Sequence, residues 1–81
     1  MEKSEIIIKL TEIFRNVFKN QSIELYDSLS ANDINNWDSL THMVLITEVE
    51  RTFAIKFKLK DINKMRNVGD LIGLIQSKLV N

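Results

Sequence analysis

Between Ser4 and Phe18 the apolar residues Ile6, Ile7, Leu10, Ile13, Phe14, Val17 and Phe18 recur at spacings of three and four. That is the period of one face of an α-helix. The stripe predicts an amphipathic helix with Ser4 as its N-cap, and Glu2, Glu5 and Lys19 stand near ends where their charges suit the helix dipole. Ile8 falls off the stripe and reads as a surface residue. From Lys19 to Trp37 no period holds, and Asn, Asp, Ser and Gln dominate. A loop this long is uncommon in a small fold and is usually functional or pinned. Ile23, Leu25, Leu29 and Ile34 are the candidate pins, able to lay the loop over the open end of a bundle.

The next periodic stretch, Ser39 to Phe53, carries two apolar stripes. His42, Leu45, Ile46, Val49 and Phe53 share one face, while Leu40, Met43, Val44 and Thr47 lie around the other side. One stripe must face outward or be shared with a partner, and Glu48, Glu50 and Arg51 form the polar rim. Ile55-Lys56-Phe57-Lys58-Leu59 alternates like a β-strand. No second segment alternates comparably, so an extended loop with Ile55 and Phe57 turned inward is the consistent reading. A short helix follows over Lys60 to Met65 through Ile62 and Met65. The last helix starts at the cap Asn67, with Asp70 in a box-like position, and buries Val68, Leu71, Ile72, Ile75 and Leu79. The predicted fold is all-α: a four-helix bundle of three main helices and one short one, with a long loop between the first two.

Composition narrows the chemistry. At 81 residues there is room for one modest core, and residues 1–81 are read as a single domain too small for a deep catalytic pocket with its supporting shell. The absence of cysteine removes disulfides, thiol catalysis and Cys-based metal sites, and a single histidine, His42, removes most others; no metal site is expected. A calcium loop counted from Asp27 or Asp33 places Leu29 or Trp37 where an oxygen ligand is needed. Lys plus Arg equals Asp plus Glu at 11 each, so no net field draws nucleic acid or an anionic membrane. The chain has no bilayer-length apolar run and no signal-peptide pattern, which predicts a soluble, cytoplasmic monomer.

Asn36-Trp37-Asp38-Ser39-Leu40 is the point where the polar loop turns into the second helix. Asp and Ser are the commonest helix caps, so a capping role alone accounts for both residues. A phosphodiester on Ser39 would also meet the unpaired N–H groups of a helix start and the positive pole of its dipole. A hydrolase built from Ser39, His42 and Asp38 is disfavoured, because adjacent Asp38 and Ser39 point in different directions and cannot orient His42 as a triad requires. The remaining alternative is a small interaction bundle whose outer stripe binds a partner helix while Ser39 only caps.

Asp38-Ser39-Leu40, followed by Leu45, Ile46, Val49 and Glu50, then Phe53-Ala54-Ile55-Lys56-Phe57 and Asn67-Val68-Gly69-Asp70-Leu71-Ile72, resembles the acyl carrier protein family in order and spacing. The resemblance covers most of the chain. It implies that Ser39 carries 4′-phosphopantetheine, transferred from coenzyme A by a phosphopantetheinyl transferase with Mg²⁺. Asp38 would serve transferase recognition and Mg²⁺ positioning, and Leu40, Met43, Val44 and Thr47 would contact the enzymes. The protein would be no enzyme itself; its arm would hold acyl groups as thioesters for acyltransferases, ligases or synthases, in fatty-acid-like, polyketide or other specialised biosynthesis. Leu45, Ile46, Val49, Phe53, Ile62 and Ile72 would bound the space for an aliphatic cargo.

The chain departs from the carriers of fatty acid synthesis at several points. Asn36 and Trp37 stand where Gly and a small or aliphatic residue are usual, and the second helix holds only Glu48 and Glu50 where that family branch is densely acidic. Docking would then rest more on apolar contact. The Trp37-Asp38-Ser39-Leu40 form is similar to discrete carriers of specialised pathways, and the lack of proline or a Pro/Gly/Ser-rich connector fits a carrier that diffuses between enzymes. Ala54 replaces the glycine often found after the second helix, which argues against a left-handed helix end there.

Overall fold

The computed structural model describes residues 1–79. Helix α1 spans Lys3–Val17, α2 Ser39–Phe53, α3 Leu59–Lys64 and α4 Val68–Leu79, and no strand occurs among the described residues. The alternating segment after α2 is an extended loop, with Ile55 and Phe57 half-buried against the core. Helix α1 packs on α2 and α4.

The inward stripes meet as the sequence pattern expects. Ile6, Leu10, Ile13 and Phe14 of α1, Leu45, Ile46, Val49 and Phe53 of α2, and Val68, Leu71, Ile72 and Ile75 of α4 form one buried cluster, joined by Phe18, Ile23 and Leu29. Fully burying such a side chain is worth roughly 1.5–3 kcal/mol, so these positions carry the fold. Ile8 is exposed. Leu25, Ile34, Ile62, Met65 and Leu79 lie partly buried on the rim of the cluster. Of the residues expected to bound a cargo space, only Ile62 opens onto a surface cavity, beside Ser39; the other five are buried in the core.

Two boundaries differ from expectation. Ser4 is not the cap of α1: the extended residue Glu2 is, and its carbonyl accepts the Glu5 and Ile6 amides at 3.1 Å without help from its side chain. Nothing in Lys3 or Ser4 resists helical backbone, so the first turn runs through both. Helix α3 begins one residue early because Asp61 accepts the Lys58 amide at 3.0 Å and closes the turn around Leu59. The Asp61 carboxylate also pairs with Lys78 of α4 at 3.2 Å, tying the short helix to the bundle.

The long loop of residues 18–38 is held by backbone groups that composition does not advertise. Helix α4 starts with its amides already assigned: Val68 N–H donates to the Leu29 carbonyl at 2.9 Å, Gly69 N–H to the Asp27 carbonyl at 2.9 Å, and Asp70 N–H to Asn67 Oδ1 at 2.9 Å. The loop therefore caps a helix far along the chain, and Asn67 caps it as expected. Asp70 closes its box one residue early, on the Arg66 amide at 3.0 Å. Glycine suits the close approach at position 69, since a Cβ there would lie 3.2 Å from the Asp27 Cβ and carbonyl, tighter than ordinary contact. At the other end Arg15 Nε donates to the Ile23 carbonyl at 2.9 Å.

The end of α2 corrects the sequence reading. Ala54 adopts the left-handed conformation, φ 56° and ψ 47°, despite its side chain. Glu50 holds the turn from both ends of the residue: its carbonyl accepts the Ala54 amide and, at 3.1 Å, the Ile55 amide, while its carboxylate accepts the Phe57 amide at 2.8 Å. Glu50 is thus a loop anchor, whereas the sequence pattern places it on a polar rim. An L-residue in this region costs about 1–2 kcal/mol, and glycine returns about 0.4–1 kcal/mol of that through its freer unfolded chain. Ala54→Gly should therefore stabilise the protein by about 0.5–1 kcal/mol. A urea melt that shows no gain would place Ala54 outside the left-handed region in solution.

Candidate functional site

The start of α2 is built from four consecutive residues. Asp38 is the N-cap: Oδ1 accepts the Leu40 and Thr41 amides, both at 3.0 Å, and Thr41 Oγ1 accepts the Asp38 amide at 2.8 Å, completing a capping box. The Thr41 hydroxyl in turn donates to the Asn36 carbonyl, and Asn36 takes φ 71°, a conformation asparagine tolerates better than most residues. All the bonds to the Asp38 carboxylate fall on Oδ1, so Oδ2 has no protein partner among the described residues. Ser39 is the first helical residue and is exposed, and its hydroxyl takes no part in the cap.

Asp38 accepts the second and the third of the helix amides, so of the N–H groups at the start of α2 that could steady a phosphodiester on Ser39 only that of Ser39 itself has no partner among the described residues.

Trp37 and His42 are the residues whose importance the sequence pattern misses. Trp37 occupies the position before the N-cap and His42 the fourth helical position, the pair that forms a hydrophobic staple at a helix start. The rings lie 6.1 Å apart at 21°, and the indole Nε1–H donates to His42 Nδ1 at 3.0 Å. On its other sides Trp37 meets Phe14 edge-on at 5.4 Å and Phe18 at 5.6 Å. The α2 start is thereby fastened to the end of α1. The staple spacing, read together with Asp38 and Thr41, is the signal that could have found it.

Burial lowers the His42 pKa from its ordinary 6.5. An indole N–H can only donate, so Nδ1 is bare and the neutral ring carries its proton on Nε2. Among the described residues no carboxylate is hydrogen-bonded to the imidazole, and Asp38 is turned to backbone amides, so they assemble no Ser-His-Asp relay.

Two depressions flank Ser39. A cavity of about 430 Å³ is lined by Ser39, His42, Ile62, Asn63, Met65 and Arg66, among others. On the other side Leu40, Met43, Val44, Thr47 and Glu48 line a shallow depression of about 360 Å³. Leu40 is 80% exposed, Met43 49% and Val44 52%, and Thr47 is exposed. The four residues expected to meet partners thus line one depression, mostly apolar, along the same side of α2. The outer stripe does not belong to the core.

The bundle, the capped serine and the adjoining apolar patch define a helical protein of carrier type, and comparison with known proteins gives the family. No family model matches the chain. The solution structure of a holo acyl carrier protein from Geobacter metallireducens superposes with a TM-score of 0.87 at 50% identity, covering 91% of this chain and 85% of that one. The crystal structure of an acyl carrier protein from Thermotoga maritima gives a TM-score of 0.82 at 26% identity, covering 98% and 92%. An acyl carrier protein of an Exiguobacterium species is 28% identical over 79 residues, which are 98% of this chain and all of that one. The chain belongs to the acyl carrier protein family.

The site also fixes a response to acid. The Asp38 carboxyl is held below its ordinary 3.8, chiefly by the Thr41 amide and further by the Thr41 hydroxyl and Leu40 amide. A carboxyl with a lowered folded-state pKa contributes stability that is present above its unfolded value and lost as pH falls through the folded one. His42, also lowered, behaves with the same sign and starts to lose its contribution below 6.5. Fluorescence of Trp37, the sole tryptophan, should change first as pH falls below 6.5, a step absent in His42→Gln, and again below 3.8, a step reduced in Asp38→Asn. A single transition identical in all three proteins would contradict this.

Proposed function

We propose that this protein carries acyl intermediates as thioesters on a 4′-phosphopantetheine arm attached to Ser39, and that residues 1–81 form one carrier domain that works in the cytoplasm as a monomer. The observation that carries this reading is the placement of Ser39: exposed, next to the Asp38 cap, and between a cavity and an apolar patch. Capping falls to Asp38, so the Ser39 hydroxyl is available for chemistry. In loading, that oxygen bonds to the pantetheine-side phosphorus of coenzyme A, the pyrophosphate link breaks, adenosine 3′,5′-bisphosphate leaves, and the hydroxyl proton goes to the transferase or to water. Asp38 can serve the transferase and its Mg²⁺ through Oδ2 while Oδ1 keeps the helix capped. Once bound, the arm supplies the thiol that a cysteine-free chain lacks.

Leu40, Met43, Val44 and Thr47 are the surface that the transferase and the acyl-handling enzymes would cover. With no partner present, such a patch costs little to keep exposed and gains free energy when buried. The pathways this fits are specialised acyl, polyketide or fatty-acid-like ones, in line with the apolar character of the patch. A plain interaction bundle would use the same patch and leave Ser39 unmodified.

Incubation with coenzyme A, Mg²⁺ and a broad-specificity transferase should add the mass of one phosphopantetheine, and Ser39→Ala should abolish the gain with its stability changed by less than about 0.5 kcal/mol. No gain in the wild type would favour the interaction bundle. The arm found on Ser4, Ser22, Ser28, Ser30 or Ser77 would refute the assignment to Ser39.

Val44→Glu should slow loading with a comparably small effect on stability, since the residue is half exposed. A loss of about 2 kcal/mol or more would mark Val44 as a core residue instead.

A further inference from the structure

If Ser39 is loaded, as proposed above, the resulting phosphodiester bears a negative charge directly beside the Asp38 carboxylate. Most of the usual anion holders at a helix start are engaged. Leu40 and Thr41 N–H donate to Asp38 Oδ1, and His42 N–H donates to the Asp38 carbonyl at 2.8 Å, which leaves the Ser39 N–H alone without a partner among the described residues. One amide cannot satisfy a diester, and the cavity that opens at Ser39 supplies further donors from side chains.

His42 and Arg66 both line that cavity. Trp37 occupies Nδ1 of the imidazole at 3.0 Å, which puts the ring proton on Nε2. No buried side-chain nitrogen among the described residues lacks a partner, and no hydrogen bond from Nε2 is present, so Nε2 reaches solvent. The Arg66 guanidinium pairs with no carboxylate among the described residues, although its backbone amide is tied to Asp70 Oδ2 at 3.0 Å. That bond fixes the base of the side chain and leaves its fork, a natural mate for phosphate oxygens, turned loose at the cavity.

We infer that the phosphodiester on Ser39 is held across the cavity mouth by His42 Nε2–H and the Arg66 guanidinium, and not by the Leu40 and Thr41 amides. Trp37 is the positioning residue. Packed against Phe14 and Phe18, it fixes both the orientation of the imidazole and the nitrogen that bears the proton. The anchored phosphate would direct the start of the arm toward Ile62 and Met65, away from the Leu40, Met43 and Val44 patch, and so leave that patch free to dock enzymes.

The test compares unloaded and loaded protein, labelled with ¹⁵N and checked by intact mass. Loading should shift the His42 Nε2 and Arg66 side-chain resonances while Nδ1 stays unprotonated in both states. The ³¹P resonance of the diester should move in His42→Ala and in Arg66→Ala, and return toward the wild-type position in His42→Gln, which keeps an N–H donor. Trp37→Phe should mix the two imidazole tautomers and shift the phosphorus signal in the direction of His42→Ala. Downfield movement of the Leu40 and Thr41 amide protons on loading, with His42 and Arg66 side chains unmoved, would overturn the inference. So would a ³¹P signal that is the same in every variant. The wild-type comparison stands even where a variant fails to fold. Absence of any mass gain is a separate result, which removes the carrier reading and this inference with it.

Discussion

The start of α2 depends on one carboxylate. Asp38 binds two amides of the first turn through a single oxygen, and Thr41 returns a bond to the Asp38 amide, so the direction of the helix and the position of Ser39 are set together. The cap's effect on the site is geometric. With Asp38 as cap, the neighbouring serine is left exposed with a hydroxyl that the fold does not use, and the helix keeps a single spare amide, that of Ser39.

Trp37 turns that local motif into a tertiary one. Its indole spans from Phe14 and Phe18 on the first helix to His42 on the second, where the small residue usual in fatty-acid carriers would make no such bridge. The long loop before it is held in a similar way, by its own carbonyls on the α4 amides. Both ends of the site are therefore carried by the bundle, while Ser39 stays at the surface. That combination suits the proposed attachment at Ser39, where the hydroxyl would have to be reachable and still sit at a constant place.

The division of α2 into an inner and an outer stripe has the same logic. Leu45, Ile46, Val49 and Phe53 complete the core, and the core needs no further apolar cover. Leu40, Met43 and Val44 are thus surplus to folding. In a helix with few acidic residues, they leave the surface beside Ser39 apolar where a charged one could otherwise stand.

The helical periods, the absence of a partner strand, and the caps at Asn67 and near Asp38 are local properties, and the sequence by itself determined them: four helices, their order and the stripe that each of the three long ones buries. Periodicity reports which face of a helix is apolar, and nearest-neighbour chemistry reports where it can begin. Contacts between distant segments are decided only in the tertiary structure. The carbonyls of Asp27 and Leu29 on α4, the salt bridge from Asp61 to Lys78, and the packing of Trp37 on Phe14 and Phe18 join groups whose partner no local pattern names, and the left-handed Ala54 held by Glu50 runs against its own residue preference. Backbone carbonyls are the same in every residue, and an alanine enters a left-handed turn only when its surroundings over-determine it. Those interactions depend on where the packed helices place the chain, which is why the cavity beside Ser39 and the donors around it emerged only from the folded protein.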